Sequence, residues 1–499
     1  MEDVSFHFGS PGLLRGSYGL FIDGSFVSGS SVFKTVSPAT EEVLAEVTHG
    51  TTEDVDKAVA AARRAYERVW SVLPGRERAR FLLRIARLLR ERAPELAVLE
   101  SLDSGKPIRQ TRDVDLPLAV AHFFYHAGWA DKLAYAGFGS PGAVPPRPLG
   151  VVGQVIGWSS PLLMLAWKIA PALACGNTVV LKPAETTPLT ALAFGEICAE
   201  AGLPPGVVNI VTGDGLAGQL VASHPGIDKV AFTGSPETGR EIAKSAALWG
   251  KRLTLELGGT AANIVCADAD IDAAAEGIVE GVFVRQGHAC CASSRVFVAQ
   301  PVLDDLIGAV QQRMTALRSG HPLDEATDIG AVNSRAQLDK ITELSGSAEA
   351  DGAARWSAPQ WSPPRFGTGQ RPGQDTGPGC GFWFPPTMFS GVTQEHRIAR
   401  EELCWPVLTV SSFETPDEVA ERTNSTRYGL SAGVWTRQAA LSEWLAAHLR
   451  AGVVWVNSFG LLDPAVPFGG YQESGLGREG GRHGLEDYLD VPGSGMPEV

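Results

Sequence analysis

The sequence predicts a protein of the α/β class, in which helices cover parallel sheets. Between residues 151 and 232, short β-branched runs alternate with helical stretches across short connections, the order typical of an open doubly wound sheet. A second alternating run extends from Ala262 to about Phe468. Because 499 residues exceed what one hydrophobic core usually holds, two or three packed units are expected.

In chain order, short strands are expected at residues 21–26 and 43–47, followed by a helix that Thr52 caps and a second helix over residues 76–100. The doubly wound run predicts strands at 151–155, 178–182, 207–211 and 229–232, with helices at 161–173, 188–201 and 215–223. Residues 357–381, rich in Pro and Gly, indicate a surface insertion.

Charge and composition narrow the range of partners. The 56 acidic residues outnumber the 42 basic ones, and the net charge of −14 disfavours a nucleic acid or an anionic membrane as partner. We find no secretory signal pattern, and Lys168 and Asn177 interrupt the longest apolar tract, residues 162–181, so no membrane span is expected. Seven cysteines without zinc spacing predict no metal site and a reducing, cytoplasmic location.

Two segments that follow predicted strands suit a nucleotide. Gly234 and Ser235 open a helix, where backbone N–H groups and the helix dipole favour a pyrophosphate. The glycine spacing does not match the dinucleotide fingerprint, and many α/β proteins have a glycine turn at this place. Lys182 and Glu185 close another strand and could contact ribose hydroxyls, although a solvated surface pair is the more common outcome.

A pair of thiols, Cys290 and Cys291, stands among small residues before a predicted strand. A buried cysteine is usually just a small hydrophobic residue. Glu256, followed closely by Gly258 and Gly259, favours a chemical interpretation, because a carboxylate near a thiol can activate water against a thioester. The two glycines would let the backbone pass close to a ligand.

Together these segments resemble the aldehyde dehydrogenase superfamily from about Phe21 to Tyr488. The matching motifs are W-K-x-A-P-A-L from Trp167, K-P-A-E from Lys182, F-T-G-S from Phe232, E-L-G-G from Glu256, Q-G-x-x-C ending at Cys290, E-E from Glu401, P-F-G-G from Pro467 and S-G-x-G-R-E ending at Glu479. The resemblance implies a Rossmann-type cofactor domain (1–124 and 149–257), an α/β catalytic domain (258–472), and a small β oligomerisation extension with the C-terminal tail (125–148 and 473–499).

The resemblance also implies an activity: oxidation of an aldehyde to a carboxylic acid with NAD, or alternatively NADP. Cys290 aligns with the nucleophile that forms a thioester, Glu256 with the base for the deacylating water, and Lys168 and Glu479 with a proton relay. The implied cofactor contacts are Trp158, Lys182, Glu185, Gly234, Ser235, Leu257 and Glu402. The acid at Glu185 favours NAD, because it would repel a 2′-phosphate. A homodimer or homotetramer is implied.

Several residues near the chemical centre depart from the family pattern. Ser159 stands where the family has an asparagine that donates to the oxyanion, and the loss of one such donor typically costs about 10²–10³ in rate. Arg285, Cys404 and Trp405 are further departures. The implied pocket residues are Ser160, Trp167, Phe283, Val284, Leu462 and Phe468.

Ser160, Val284 and Leu462 stand where many members carry a ring, so we expect a bulky or functionalised aldehyde as substrate. Two alternatives stay open: a binding or regulatory protein on the same fold, which the loss of the asparagine favours, and non-oxidative acyl-thioester chemistry at Cys290. Retention of Cys290 together with Glu256 favours the dehydrogenase.

Overall fold

The computed structural model describes residues 14–138, 145–284, 290–292, 294–364, 380–403 and 406–491. The strands are β1 Ser17–Tyr18, β2 Leu20–Ile22, β3 Ser25–Val27, β4 Val32–Val36, β5 Val43–Thr48, β6 Arg147–Pro148, β7 Val151–Val155, β8 Thr178–Lys182, β9 Val208–Ile210, β10 Lys229–Gly234, β11 Arg252–Leu257, β12 Ala262–Val265, β13 Arg295–Ala299, β14 Ala354–Ser357, β15 Thr387–Ser390, β16 Val407–Phe413, β17 Ser431–Trp435, β18 Val453–Val456, β19 Gly475–Leu476 and β20 Leu489–Asp490.

The helices are α1 Thr52–Ala65, α2 Gly75–Glu91, α3 Ala93–Ser104, α4 Ile108–Gln110, α5 Leu116–Ala127, α6 Pro161–Cys175, α7 Leu189–Glu200, α8 Gly215–Ser223, α9 Pro236–Leu248, α10 Ile271–Val279, α11 Leu303–Ala316, α12 Arg335–Ala350, α13 Arg397–Arg400, α14 Pro416–Asn424, α15 Ala439–His448 and α16 His483–Glu486. Turns of π-helix at Tyr66–Trp70 and Glu280–Val284 continue α1 and α10, and another at Thr111–Asp115 joins α4 to α5.

The first large sheet contains eight strands in the order β19-β11-β10-β7-β8-β9-β2-β3. Strands β11 to β9 run parallel, and antiparallel pairing adds β19 at one edge and β2 with β3 at the other. Every residue of β7 and β8 is buried, as expected for parallel strands with helices on both faces. The carboxyl ends of β7, β8, β10 and β11 therefore meet along one edge of this sheet.

The second large sheet contains seven strands in the order β14-β15-β16-β13-β12-β17-β18. All its pairs are parallel except the edge pair of β14 with β15. Two smaller sheets, β1-β5-β4 and β20-β6, complete the described architecture. Because β19 pairs with β11, the chain returns to the first sheet after the second one is complete.

The largest apolar core surrounds α6, all of whose residues are buried. Each large aliphatic or aromatic side chain removed from water there contributes about 1.5–3 kcal/mol. The long apolar tract of the sequence is thus α6 followed by β8. Within the described ranges, no helix is long and apolar enough to cross a membrane.

Two expectations about the N-terminal helices are wrong. The cap of α1 is Thr51 and not Thr52: the Asp54 N–H donates to Thr51 Oγ1 at 3.3 Å, and the Thr51 N–H donates back to Asp54 Oδ2 at 3.0 Å. The single helix predicted over residues 76–100 is two helices, which meet at Arg92. Pro94 explains the break, because it has no N–H and its ring disfavours a continuous helix. The strands and helices predicted between residues 151 and 232 are confirmed to within about two residues.

Candidate active site

A cleft of about 1200 Å³ follows the carboxyl edge of the first sheet. Lys182, Glu185 and Ser235 line one part of it, and Ser159, Glu256 and Cys290 line another. Trp158, Gly234, Leu257 and Glu402 also contribute to its walls. The structure therefore brings every predicted cofactor residue into one cavity with the predicted nucleophile and base.

At the start of α9, Ser235 is the N-cap residue. Its Oγ accepts from the Thr238 N–H at 3.2 Å, and Pro236 occupies the first helical position, where its missing N–H costs nothing. Two further cations of this helix, Arg240 and Lys244, line the same cleft. The helix thus presents its positive dipole end to the cavity. Arg240 and Lys244 are each paired with a glutamate of the same helix, Glu237 and Glu241, and both glutamates line the cleft too.

The predicted ribose contacts Lys182 and Glu185 contact each other. Lys182 Nζ donates to Glu185 Oε2 at 3.0 Å, with the lysine side chain buried and the glutamate exposed. A lysine ammonium carries three donors, so this bond leaves hydrogens that can serve a ligand. The pair fixes an ammonium and a carboxylate at the end of β8, on the cleft wall.

The glycines after Glu256 make room for protein atoms. A Cβ on Gly258 would lie 1.9 Å from Glu402 Oε2, and one on Gly259 would lie 2.9 Å from Leu430 Cβ. The absence of a side chain at Gly258 lets Glu402 approach the end of β11 closely, and its absence at Gly259 makes room for Leu430. Trp158 packs against the apolar cluster that contains Leu403, so residues around Glu402 are supported from β7 as well.

Glu256 is a buried carboxyl with only 5% of its surface exposed, and neither of its oxygens has a hydrogen-bond partner within the described part of the chain. Burial raises the pKa of Glu256 well above its usual range, and the Glu479 carboxylate raises it further against the opposing charges of Lys168 and Arg478. An unpaired buried carboxylate is costly, so the protonated form is favoured at rest.

Cys290 is half-buried and faces the cleft, whereas Cys291 beside it is buried. A hydrogen bond with the Cys291 thiol, burial, and the charges of Glu256 and Glu402 hold the pKa of Cys290 well above its usual range. The resting thiol is therefore protonated, and its conversion to the reactive thiolate requires a proton acceptor.

Lys168 of α6 and Glu479 form an ion pair that is almost completely buried. Backbone hydrogen bonds between Glu479 and Phe468, at 2.7 and 2.8 Å, hold the glutamate in place, and the Gln154 side chain donates to the Lys168 carbonyl at 2.9 Å. The Glu479 charge acts on Glu256, which places the pair within electrostatic reach of the cleft.

The residues expected to form a substrate pocket differ in exposure. The Trp167 and Phe468 rings are buried with centroids 5.2 Å apart, and Phe283 is completely buried in the same apolar core. Ser160, Val284 and Leu462 are partly exposed. Arg285, Cys404 and Trp405 lie outside the described residues.

Sequence reasoning missed several charged groups. Lys106 is buried, pairs with Asp115, and donates to Ser160 Oγ at 2.8 Å. Nothing in the local pattern distinguishes Lys106 from a surface lysine after a helix. For Arg240 and Lys244 a signal existed, since they follow the glycine turn at a spacing of four residues on one helix face. The described residues contain no group of three or more metal-ligating side chains.

The fold and the cleft together define a class: a doubly wound nucleotide-binding protein whose cleft also holds a thiol and a buried carboxyl. The chain belongs to the aldehyde dehydrogenase family, whose model matches residues 26–492. The predicted family, fold class and enzyme class are thereby confirmed.

Individual relatives agree with this assignment. The chain is 43% identical to human retinal dehydrogenase 2 and 42% identical to the mitochondrial benzaldehyde dehydrogenase of Antirrhinum majus, covering 95% of this chain and 90% and 87% of theirs. It is also similar to the NAD⁺ complex of an aldehyde dehydrogenase from Bacillus cereus, at 39% identity and a TM-score of 0.90, with 96% of each chain covered. The prediction of NAD as cofactor agrees with this complex.

Proposed function

We propose that this chain oxidises a bulky or functionalised aldehyde to the carboxylic acid with NAD, through a thioester on Cys290. The observation that carries the proposal is the single cleft that joins Lys182 and Ser235 to Cys290 and Glu256. Relatives named for retinal and benzaldehyde support a large substrate. The absence of an aromatic ring at Ser160, Val284 and Leu462 supports it from this chain's own sequence.

The described residues fit a dinucleotide. The capped start of α9 suits a pyrophosphate, and Lys182 and Glu402 suit ribose hydroxyls, with Trp158 and Leu257 on the cleft walls. The carboxylate of Glu185 favours NAD over NADP, because a 2′-phosphate there would meet like charge. When bound, NAD⁺ supplies the acceptor for the hydride that leaves the aldehyde carbon.

In the first half-reaction the Cys290 thiol gives its proton to solvent water, and its sulfur adds to the aldehyde carbon, which turns the carbonyl oxygen into an oxyanion. The Ser159 hydroxyl and the Cys290 backbone N–H donate to that oxyanion. Departure of the hydride from the same carbon re-forms the carbonyl and leaves the acyl group as a thioester on Cys290.

In the second half-reaction Glu256 removes a proton from water, which attacks the thioester and releases the acid with regeneration of the Cys290 thiol. Because its pKa is raised, Glu256 must first give up its own proton. The buried Lys168–Glu479 pair offers a path for that proton, since Glu479 acts electrostatically on Glu256.

We also propose a division of the chain into domains. We assign residues 1–124 and 149–257 to cofactor binding, 258–472 to catalysis, and 125–148 with 473–499 to an oligomerisation extension and tail. The pairing of β6 with β20 supports grouping the last two segments. We also propose that the protein is a homodimer or homotetramer and that it is cytoplasmic.

NADH formation from a panel of aliphatic, aromatic and bulky aldehydes, followed by absorbance, tests the proposal. We expect turnover by the wild type, none by Cys290→Ala, and retained turnover by Cys380→Ser, a control at another partly exposed thiol. The substrate preference should favour bulky aldehydes over acetaldehyde. Turnover by Cys290→Ala would remove Cys290 from the nucleophile role, and a clear preference for acetaldehyde would contradict the substrate class.

A further inference from the structure

A buried arginine of the second sheet carries a charge that no acidic group among the described residues offsets. Arg295 begins β13, and only 4% of its surface is exposed. Its Nε and Nη2 donate to the Thr260 carbonyl at 3.0 and 2.7 Å, and Nη2 also donates to the Thr423 carbonyl at 3.3 Å. Nη1 is buried and has no hydrogen-bond partner within the described part of the chain. Neutral carbonyls therefore hold the guanidinium, and one of its nitrogens is left unused.

A second cation nearby makes this burial less favourable. The Cζ atoms of Arg295 and Arg422 lie 5.6 and 5.0 Å from the centroid of the same ring, Phe297. Arg422 has a carboxylate partner, Glu418, at 2.9 Å. Burial and the Arg422 charge lower the pKa of Arg295 to about 10, so Arg295 is still charged at neutral pH. Because an unpaired buried charge is costly, a bound counter-ion would be favoured here.

Arg295 lines a small cavity between β13, β16 and residues 392–399. Thr409 of β16 lies opposite Arg295 across the two strands, so both side chains stand on the same face of the sheet. The Thr409 hydroxyl donates to the Ser294 carbonyl at 3.2 Å, and that carbonyl also accepts from the Thr409 N–H at 2.8 Å. The hydroxyl can therefore turn toward a ligand without leaving the carbonyl unpaired.

The cavity has a further donor and a way in from solvent. Gln394 Nε2 donates to the Arg422 carbonyl at 3.4 Å, which leaves its second hydrogen for a ligand. Gln394 is half-buried and Thr393 is exposed, and both line the cavity. Its volume of about 10 Å³ is room for roughly one water-sized sphere, which excludes phosphate, sulfate and carboxylates. A water molecule would fit, but it would leave the charge of Arg295 without compensation.

We propose that Arg295, with Gln394 and Thr409, binds one monatomic anion of the chloride class in this cavity. The ion supplies the negative charge that the guanidinium lacks, and it accepts from Arg295 Nη1. Its binding stabilises the junction that Arg295 makes between β13 and the Thr260 carbonyl. Because Arg295 follows the proposed nucleophile in the chain and Thr260 follows the proposed base, the ion supports both segments. The site does not depend on the proposed oxidation, and its tests need no turnover.

Bromide replaces chloride at such a site and is identified by its anomalous X-ray scattering. Crystals of the wild-type chain, grown with sodium bromide at the ionic strength of physiological salt, should show an anomalous peak within hydrogen-bond distance of Arg295 Nη1. Density without anomalous signal at that place, as a water molecule gives, would overturn the proposal. A peak that forms only after a soak in molar bromide would indicate an adventitious ion only and would overturn it as well.

Thermal unfolding in sodium chloride and in sodium gluconate of equal ionic strength tests the site in solution, because gluconate is too large for the cavity. We expect the wild-type Tm to rise by about 1 °C more per tenfold increase in chloride than in gluconate, the shift that one bound ion gives a chain of this length. Arg295→Met should lose this difference. Arg437→Met, at an exposed arginine 3.6 Å from Asp270, is the matched control and should keep it.

Equal wild-type Tm values in the two salts would overturn the binding of chloride. If Arg295→Met does not fold, the wild-type Tm values and the bromide peak beside Arg295 still decide, because neither measurement requires a variant.

Discussion

Glu256 and Ser159 each differ from an ordinary active-site residue, the first in the pKa of its carboxyl and the second in the length of its side chain. Burial raises the pKa of the Glu256 carboxyl well above its usual range, so the ionised form that a base needs is disfavoured in the fold. Ser159 lines the same cleft with a hydroxyl, which is shorter than the asparagine amide of the family pattern. In the proposed mechanism, Glu256 would limit the supply of base and Ser159 would limit stabilisation of the oxyanion.

The Ser159 position gives a direct prediction. Ser159→Asn should raise kcat on simple aldehydes by about tenfold or more, because one preorganised oxyanion donor is worth about 10²–10³ and serine supplies part of that effect. Steady-state kinetics on a short aliphatic aldehyde measures the change. Ser159→Ala is the paired variant and should lower kcat. A decrease in Ser159→Asn would mean that Ser159 belongs to a reshaped site which the larger side chain disturbs.

Among the elements, α3 and α6 are joined by a hydrogen bond to one carboxyl group. Glu100 of α3 accepts from the Leu162 N–H at the start of α6, in a position without solvent exposure. This contact fixes the beginning of the helix that carries Trp167 and Lys168, directly after Ser159 and Ser160. The geometry of the chemical centre therefore depends on a residue remote from it in sequence.

Because the pKa of Glu100 is raised to about 8 in the fold, its protonated form is favoured there and its ionisation opposes folding. Below the pKa that Glu100 has in the unfolded chain, the protonated carboxyl contributes fully to the free energy of unfolding. This contribution is lost as the pH rises to about 8, at up to about 1.4 kcal/mol per pH unit. Glu100→Gln should therefore gain melting temperature relative to wild type as pH increases from about 5 to 8.

Thermal unfolding across that pH range measures the effect. Glu91→Gln, at an exposed glutamate near the end of α2, is the surface control and should follow the wild-type curve. Parallel curves for wild type and Glu100→Gln would show that Glu100 ionises in the fold without this cost.

Sequence periodicity predicted the elements of the first sheet well, because buried parallel strands such as β8 are uninterrupted β-branched runs. Periodicity failed at Arg92, because the apolar spacing continues through the break between α2 and α3. Pro94, at the start of α3, is the residue that marks this break. Periodicity also gave no indication that Glu100 of α3 accepts from the Leu162 N–H at the start of α6. Local patterns contain no information about such a contact.

For the whole molecule, the two large sheets supply different parts of one site. Glu256 lies next to the end of β11 in the first sheet, whereas Cys290 stands shortly before β13 of the second. The motifs identified both residues, but their presence in one cleft depends on how the sheets pack, which no local pattern contains. The same holds for the Lys168–Glu479 pair, whose partners are 311 residues apart.

The measurement that tests the account most directly is the mass of Glu256→Gln after incubation with an aldehyde and NAD⁺. With the base removed and Cys290 intact, the thioester should form and persist, so we expect one acyl group per chain on the peptide that contains Cys290. Cys290→Ala, treated identically, should carry none. An unmodified Glu256→Gln protein with an unchanged steady-state rate, or an acyl group located on Cys291, would contradict the assignment of Cys290 and Glu256.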